Sequence, residues 1–211
     1  MPSPLERLLE HYPCLSVCLP QIQETARLLE EGFRRGATLF TCGNGGSCSD
    51  ADHIAGEFLK GFCRRRPLEK SLADTLAKVD AQDGAFLGKT LQQGLRCIPL
   101  SGFPAALSAV RNDLDGQMDY AQALLALARP GDMLLGISTS GNSRNVHLAV
   151  TVARSLGLTV LGMTGEAGGR LAQEADVTIR VPARETFRIQ ELHLPVYHTL
   201  CLSVEEAFFP L

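Results

Sequence analysis

Between Thr38 and Glu57 the chain reads TLFTCGNGGSCSDADHIAGE, in which a short apolar run empties into Gly43, Asn44, Gly45, Gly46 and Ser47 before His53 and Glu57 appear four positions apart. On a helix that spacing puts both side chains on one face. An imidazole and a carboxylate so placed can chelate a metal ion, and the carboxylate can also move protons. Alone, such a pair is more often plain helix surface, so it needs partners. Candidates lie in RIQELHLPVYH, residues 188–198, where Gln190, Glu191, His193 and His198 crowd the start of the last helix. Gln190 and His198 are eight residues apart, a little over two turns, and return to about the same side, whereas Glu191 and His193 fall elsewhere. Pro195 removes one helical hydrogen bond and is expected to bend the axis. The bland reading of His193 and His198 is as partly buried polar residues of a packing helix.

Two loops supply a different chemistry. In CGNGGS (42–47) the glycines let backbone N–H groups approach a ligand, and Asn44 and Ser47 add side-chain contacts. In STSGNS (138–143) the hydroxyls of Ser138, Thr139, Ser140 and Ser143 surround Gly141, after the strand-like MLLGI and before the helical RNVHLAVTVARSLG. Hydroxyls and N–H groups at a helix N-terminus can satisfy phosphate oxygens without a lysine. Neither loop has the Walker lysine or the GxGxxG pattern, which argues against nucleotides. Each loop alone could be a tight turn or a helix cap. Together they favour a phosphate ligand. Combined with the carboxylate and histidines, they point to a sugar-phosphate isomerase. Aldose-ketose interconversion needs a base to move a proton between C1 and C2, an acid for the oxygens, and stabilisation of an enediolate.

The elements that must hold these residues follow from the apolar pattern. The 211 residues suit one domain with one good core. Strand-like runs at Thr38–Cys42, Cys97–Leu100, Met133–Ser138, Thr159–Met163 and Val177–Val181 alternate with helical segments. This predicts an α/β fold with a doubly wound, five-stranded parallel sheet covered on both faces. The spacing predicts an amphipathic helix from Leu15 to Arg35, whose apolar face suggests a partner subunit. It predicts a helix from the first loop to about Cys63, a helical insertion over 64–95 with pieces at Leu68–Val79 and Ala85–Gln93, and a final helix over Thr186–Phe208. The basic start of the insertion, CRRRPLEK, reads as a phosphate contact or, more plainly, a solvated corner.

The formal net charge is −3, from 20 basic and 23 acidic residues mixed along the chain, so no global field favours nucleic acid or an anionic membrane. The N-terminus is not of signal-peptide type and no apolar run is long enough to span a bilayer, which predicts a cytoplasmic protein. Seven cysteines, scattered and without a CxxC pair, predict reduced thiols rather than disulfides or a zinc knuckle.

The chain resembles the sugar isomerase (SIS) domain proteins, and within them the bacterial sedoheptulose 7-phosphate (phosphoheptose) isomerases. The resemblance rests on CGNGGS, DADHIAGE, Asn112-Asp113, GDMLLGISTSGNSRNV, TGEAGGRLAQEADVTIRVP and RIQELHLPVYH, in order over most of residues 36–205. It implies a flavodoxin-like three-layer sandwich and a homotetramer with sites at subunit interfaces. It also implies conversion of D-sedoheptulose 7-phosphate to D-glycero-D-manno-heptose 7-phosphate, for heptose biosynthesis. Carried over by position, it implies zinc, or another divalent ion suited to the same ligands, on His53, Glu57, Gln190 and His198. It implies an acid/base pair of Glu57 and His198. The implied substrate contacts are Asn44, Gly45, Gly46, Ser47, Glu57, Asn112, Asp113, Ser138, Thr139, Ser140, Ser143 and Gln190. The chain departs from the family at Cys48-Ser49, at Phe187, at Pro195 and in its long insertion, which adjoins the first loop and bears on which ketose is used. Some relatives instead bind a replication initiator or sense a sugar phosphate without turnover. The presence of both Glu57 and His198 favours the enzyme over these.

Overall fold

The structure is a computed structural model that describes residues 2–210. Its sheet comprises β1 (Leu39–Gly43), β2 (Cys97–Pro99), β3 (Met133–Ile137), β4 (Thr159–Thr164) and β5 (Val177–Arg180). They are all parallel, in the order β2-β1-β3-β4-β5. Each expected strand forms close to its expected bounds. Every residue of β1 and β3 is buried, as central strands of a sheet covered on both faces must be.

Side-chain alternation along these strands divides the core in two. Leu39, Met133, Leu135 and Ile137 point into one layer, built from α1 (Pro4–His11), α2 (Leu19–Arg34), α3 (Gly46–Leu59) and α10 (Thr186–Phe208). Phe40, Cys42, Leu134 and Val160 point into the other. That layer includes α7 (Asp119–Leu127), α8 (Arg144–Ser155) and the single turn α9 (Leu171–Glu174), with α6 (Pro104–Asp113) packed on α7. The result is the three-layer sandwich, α/β and doubly wound.

The N-terminal region corrects one expectation. Instead of one helix from Leu15, there is α1, then a 3-10 stretch over Pro13–Cys18, then α2. Proline lacks an N–H and is best accommodated in a first helical turn, where no intrahelical partner is lost, and Pro13 and Pro20 each open an element. Ser3 and Glu6 form a capping box that starts α1, with Glu6 N donating to Ser3 Oγ over 3.2 Å. α10 matches its expected bounds and runs unbroken through Pro195.

The insertion holds α4 (Lys70–Val79) and α5 (Asp83–Thr90), which pack on one another while α4 buries none of its residues. Its basic start divides: Arg65 and Lys70 are exposed, as a solvated corner would be, and the second correction falls on Arg66, which is neither a phosphate contact nor solvated. Its side chain is fully buried, 2.8 Å from Glu205 on α10, and also donates to the carbonyls of Phe58 and Glu57. The same Glu205 carboxylate accepts from the backbone N–H groups of Phe62, Cys63 and Arg64. This is why α3 stops at Leu59 rather than near Cys63: the strap that follows is pulled straight onto α10. No helix among the described residues is long and apolar enough to cross a membrane.

Candidate active site

In the strand order 2-1-3-4-5 the chain leaves β1 and β3 toward opposite faces, and the crevice beyond their carboxyl ends is where open α/β sheets bind ligands. CGNGGS follows β1 and STSGNS follows β3, and these two strands are direct neighbours. Loops that read in sequence as belonging to alternate strands are therefore side by side. A reciprocal amide pair bridges them: Asn44 Nδ2 donates to Asn145 Oδ1 (2.8 Å) and Asn145 Nδ2 to Asn44 Oδ1 (2.9 Å). Behind Asn145 lies buried Asp119, which Arg111 holds at 2.8 Å. Asn145, Asp119 and Arg111 escaped the sequence reading. Only Asn145 had a visible signal, its place two residues after Ser143.

In the second loop, Ser138 is buried and its Oγ is 2.9 Å from Ser143 Oγ, at the N-cap of α8. Thr139 and Ser143 are half-buried and Ser140 is exposed, so three of the four residues retain solvent access at the start of α8. The segment after β4 clamps this loop: Leu171 N donates to the Gly141 carbonyl (2.9 Å) and Arg170 N to Asn142 Oδ1 (3.0 Å). Gly141 has φ +68°, and a Cβ there would collide with the Gly168 carbonyl, so only glycine fits.

In the first loop Ser47 is buried while Asn44, Gly45 and Gly46 are exposed. Gln190 lies over this loop, so close that a Cβ on Gly46 would come within 2.5 Å of Gln190 Nε2. Two turns along α10, His198 meets α3 again, its ring centroid 5.0 Å from that of His53. Gln190 and His198 thus share the α3-facing side, whereas His193 is fully buried with Nε2 3.3 Å from the Thr164 carbonyl. Burial pushes the His193 pKa down to about 4. It is a core histidine.

His53 Nε2 is 3.0 Å from Glu57 Oε1, as the four-residue spacing requires. Glu57 Oε2 and His198 Nε2 are both closed to solvent and have no hydrogen-bond partner. Lys60 Nζ, 3.6 Å from Glu57 Oε2, is too far to bond it. Burial, with the nearby His53 ring, lowers the His198 pKa against the opposing pull of Glu57, which favours a neutral imidazole. Among the described residues no three His, Cys, Asp or Glu side chains converge as a metal-binding group. The set of two imidazoles, a carboxylate and an amide nevertheless fits a borderline divalent ion in donor type. The two orphaned atoms are the kind that such an ion would satisfy. Asn112 and Asp113, at the exposed end of α6, bond one another at 2.7 Å and are not drawn into the loop network.

A model of the SIS domain matches residues 113–203. The chain is 39% identical over 190 residues to the phosphoheptose isomerase of Roseiflexus sp. strain RS-1, covering 90% of this chain and 83% of that one. It is 42% identical over 178 residues to the phosphoheptose isomerase of Mycobacterium tuberculosis, covering 84% and 78%. Among solved structures, it superposes on phosphoheptose isomerase GmhA from Neisseria gonorrhoeae with a TM-score of 0.73 at 28% identity, over 95% of this chain and 92% of the other. With the sheet order, the paired loops and the α3/α10 cluster in place, the chain belongs to the phosphoheptose isomerase family of SIS-domain proteins and is a sugar-phosphate isomerase.

Proposed function

We propose that the chain interconverts D-sedoheptulose 7-phosphate and D-glycero-D-manno-heptose 7-phosphate by proton transfer through an enediolate. The observation that carries this reading is that His198 packs on His53, which bonds Glu57, with Glu57 and His198 each keeping a buried atom without a hydrogen-bond partner, near two hydroxyl- and glycine-rich loops at the β1/β3 crevice. The names of the curated relatives support the substrate. Ser138, Thr139, Ser140 and Ser143 hold the phosphate at the start of α8. Asn44, Ser47 and Gln190, with the backbone of Gly45 and Gly46, orient the sugar, and Asn112 and Asp113 are assigned to it by family resemblance alone.

Glu57 removes a proton from C1 of the ketose and returns it to C2, which converts the ketone to the aldehyde with no net change in protons. His198, neutral before reaction, carries the proton that must pass between the C1 and C2 oxygens. Its depressed pKa keeps it able to accept as well as give. A divalent ion, zinc by family resemblance, would be held by His53, Glu57, Gln190 and His198 and would supply Lewis-acid stabilisation of the developing oxyanion. We place these sites at subunit interfaces of a homotetramer.

The test is turnover of sedoheptulose 7-phosphate by purified protein, with and without added zinc, beside Glu57→Gln. Aldose product that requires Glu57 is expected. A phosphosugar that binds without turnover in the unaltered protein would move the assignment to a sensing protein.

A further inference from the structure

Tyr197 precedes His198 on α10 and is 1% exposed. Its hydroxyl lies 3.0 Å from His53 Nδ1 and 3.3 Å from Asp50 Oδ1. On the other side of the same imidazole, His53 Nε2 is 3.0 Å from Glu57 Oε1. Four side chains therefore form one continuous line, from Asp50 on α3, through Tyr197 on α10, back to His53 and Glu57 on α3. Among the described residues Asp50 has Tyr197 as its side-chain hydrogen-bond partner, and its Oδ2 is closed to solvent without any. A phenol has one proton to donate, so Tyr197 cannot donate to both neighbours at once.

We propose that Tyr197 is the positioning residue of His53: its hydroxyl selects which ring nitrogen carries the proton, and so decides whether Nε2 is closed onto Glu57 or open to a cation. With the hydroxyl donating to His53 Nδ1, the ring proton sits on Nε2, which donates a hydrogen bond to Glu57 Oε1. When the hydroxyl turns to Asp50, the phenol oxygen accepts from Nδ1–H. The Nε2 lone pair then stands beside the Glu57 carboxylate, and the two together face one cation. The change moves one proton between ring nitrogens and rotates one O–H bond, with no proton gained or lost. Partners of this kind behind a ligating histidine fix its tautomer and orientation. The inference rests on the proposed function only in naming a divalent cation as the ligand.

The test uses full-length protein with 15N-labelled histidine, followed by long-range 1H–15N spectra in the metal-free state and during zinc titration, for the unaltered chain and Tyr197→Phe. Phenylalanine keeps the ring packing, and circular dichroism checks the fold. The unaltered protein should show His53 as Nε2–H when metal-free and Nδ1–H with zinc. Tyr197→Phe should show mixed metal-free tautomers and bind zinc about ten- to a hundredfold more weakly, with the KM for phosphosugar unchanged at saturating zinc. Unaltered tautomers and zinc affinity in Tyr197→Phe would overturn the proposal. If the unaltered protein binds no divalent ion, the cation reading of the site fails, and the metal-free spectra decide the tautomer role alone: a changed His53 in Tyr197→Phe sustains it and identical spectra refute it. Should Tyr197→Phe not fold, Asp50→Asn retains the phenol and weakens its terminal acceptor. Severalfold weaker zinc binding there sustains the proposal and unchanged affinity refutes it.

Discussion

At the scale of single residues, function rests on what each side chain lacks as much as on what it touches. Glu57, the proposed base, has one oxygen 3.0 Å from His53 Nε2 and one with no hydrogen-bond partner. Glu57→Gln keeps the volume and removes the base, so kcat should fall at least about a hundredfold with the thermal midpoint little changed. Steady-state kinetics beside a melting curve check this. Ser140→Ala and Ser143→Ala each remove one hydroxyl from the proposed phosphate cradle. Each should raise KM severalfold, about 1 kcal/mol of binding, with kcat largely retained. His193 makes the opposite case. Its folded pKa of about 4 lies below the unfolded value of 6.5, so the unfolded chain takes up the proton first as pH falls. Its contribution to stability is complete above about pH 6.5 and is lost progressively down to about pH 4, roughly 3 kcal/mol in all. His193→Gln retains a donor for the Thr164 carbonyl and should flatten that part of the stability profile, measured by denaturant melts across the range.

At the scale of elements, α10 is the organising piece. One face places Gln190 over the first loop and His198 on His53, and its last turns carry Glu205 into the strap after α3. Burial alone would raise the Glu205 pKa, but the N–H groups of Cys63 and Phe62 and the Arg66 guanidinium outweigh it and hold the carboxyl below its ordinary value. Glu205→Ala leaves Arg66 charged and unpaired in the core and should destabilise the fold by about 3–5 kcal/mol, read from the denaturant midpoint. The second loop depends in the same way on the segment that clamps it. Gly141→Ala meets both a positive φ and the Gly168 carbonyl. It should lower stability by at least about 1 kcal/mol and raise KM through displacement of Ser140 and Ser143.

At the scale of the whole molecule, the doubly wound sheet brings residues 42–47 and 138–143 together because β1 and β3 are neighbours with β2 on the outer side of β1. Acid lability is also a property of the whole. His193 and Glu205 both have depressed folded pKa values, so both contributions fade as pH falls, the histidine's first and the carboxylate's below its ordinary range. Denaturant melts across pH should therefore show a larger total loss of stability on the acid side, spread over a wider range, than either site alone accounts for.

By itself the sequence determined the sheet class, the strand positions, α10 and the His53/Glu57 pair, since each is written in a short apolar run, a period of 3.6 residues or a fixed helical spacing. It also singled out both candidate loops, through glycine and hydroxyl content at strand ends. Tertiary structure alone decided that Arg66 is buried on Glu205, that Asn145 joins Asn44, and that Tyr197 stands between Asp50 and His53. Those partners are separated by 139, 101, 147 and 144 positions. No local pattern links groups so far apart in the chain, because their proximity is created by packing layers on the sheet, and a polar residue reads alike in sequence whether it meets water or a buried partner.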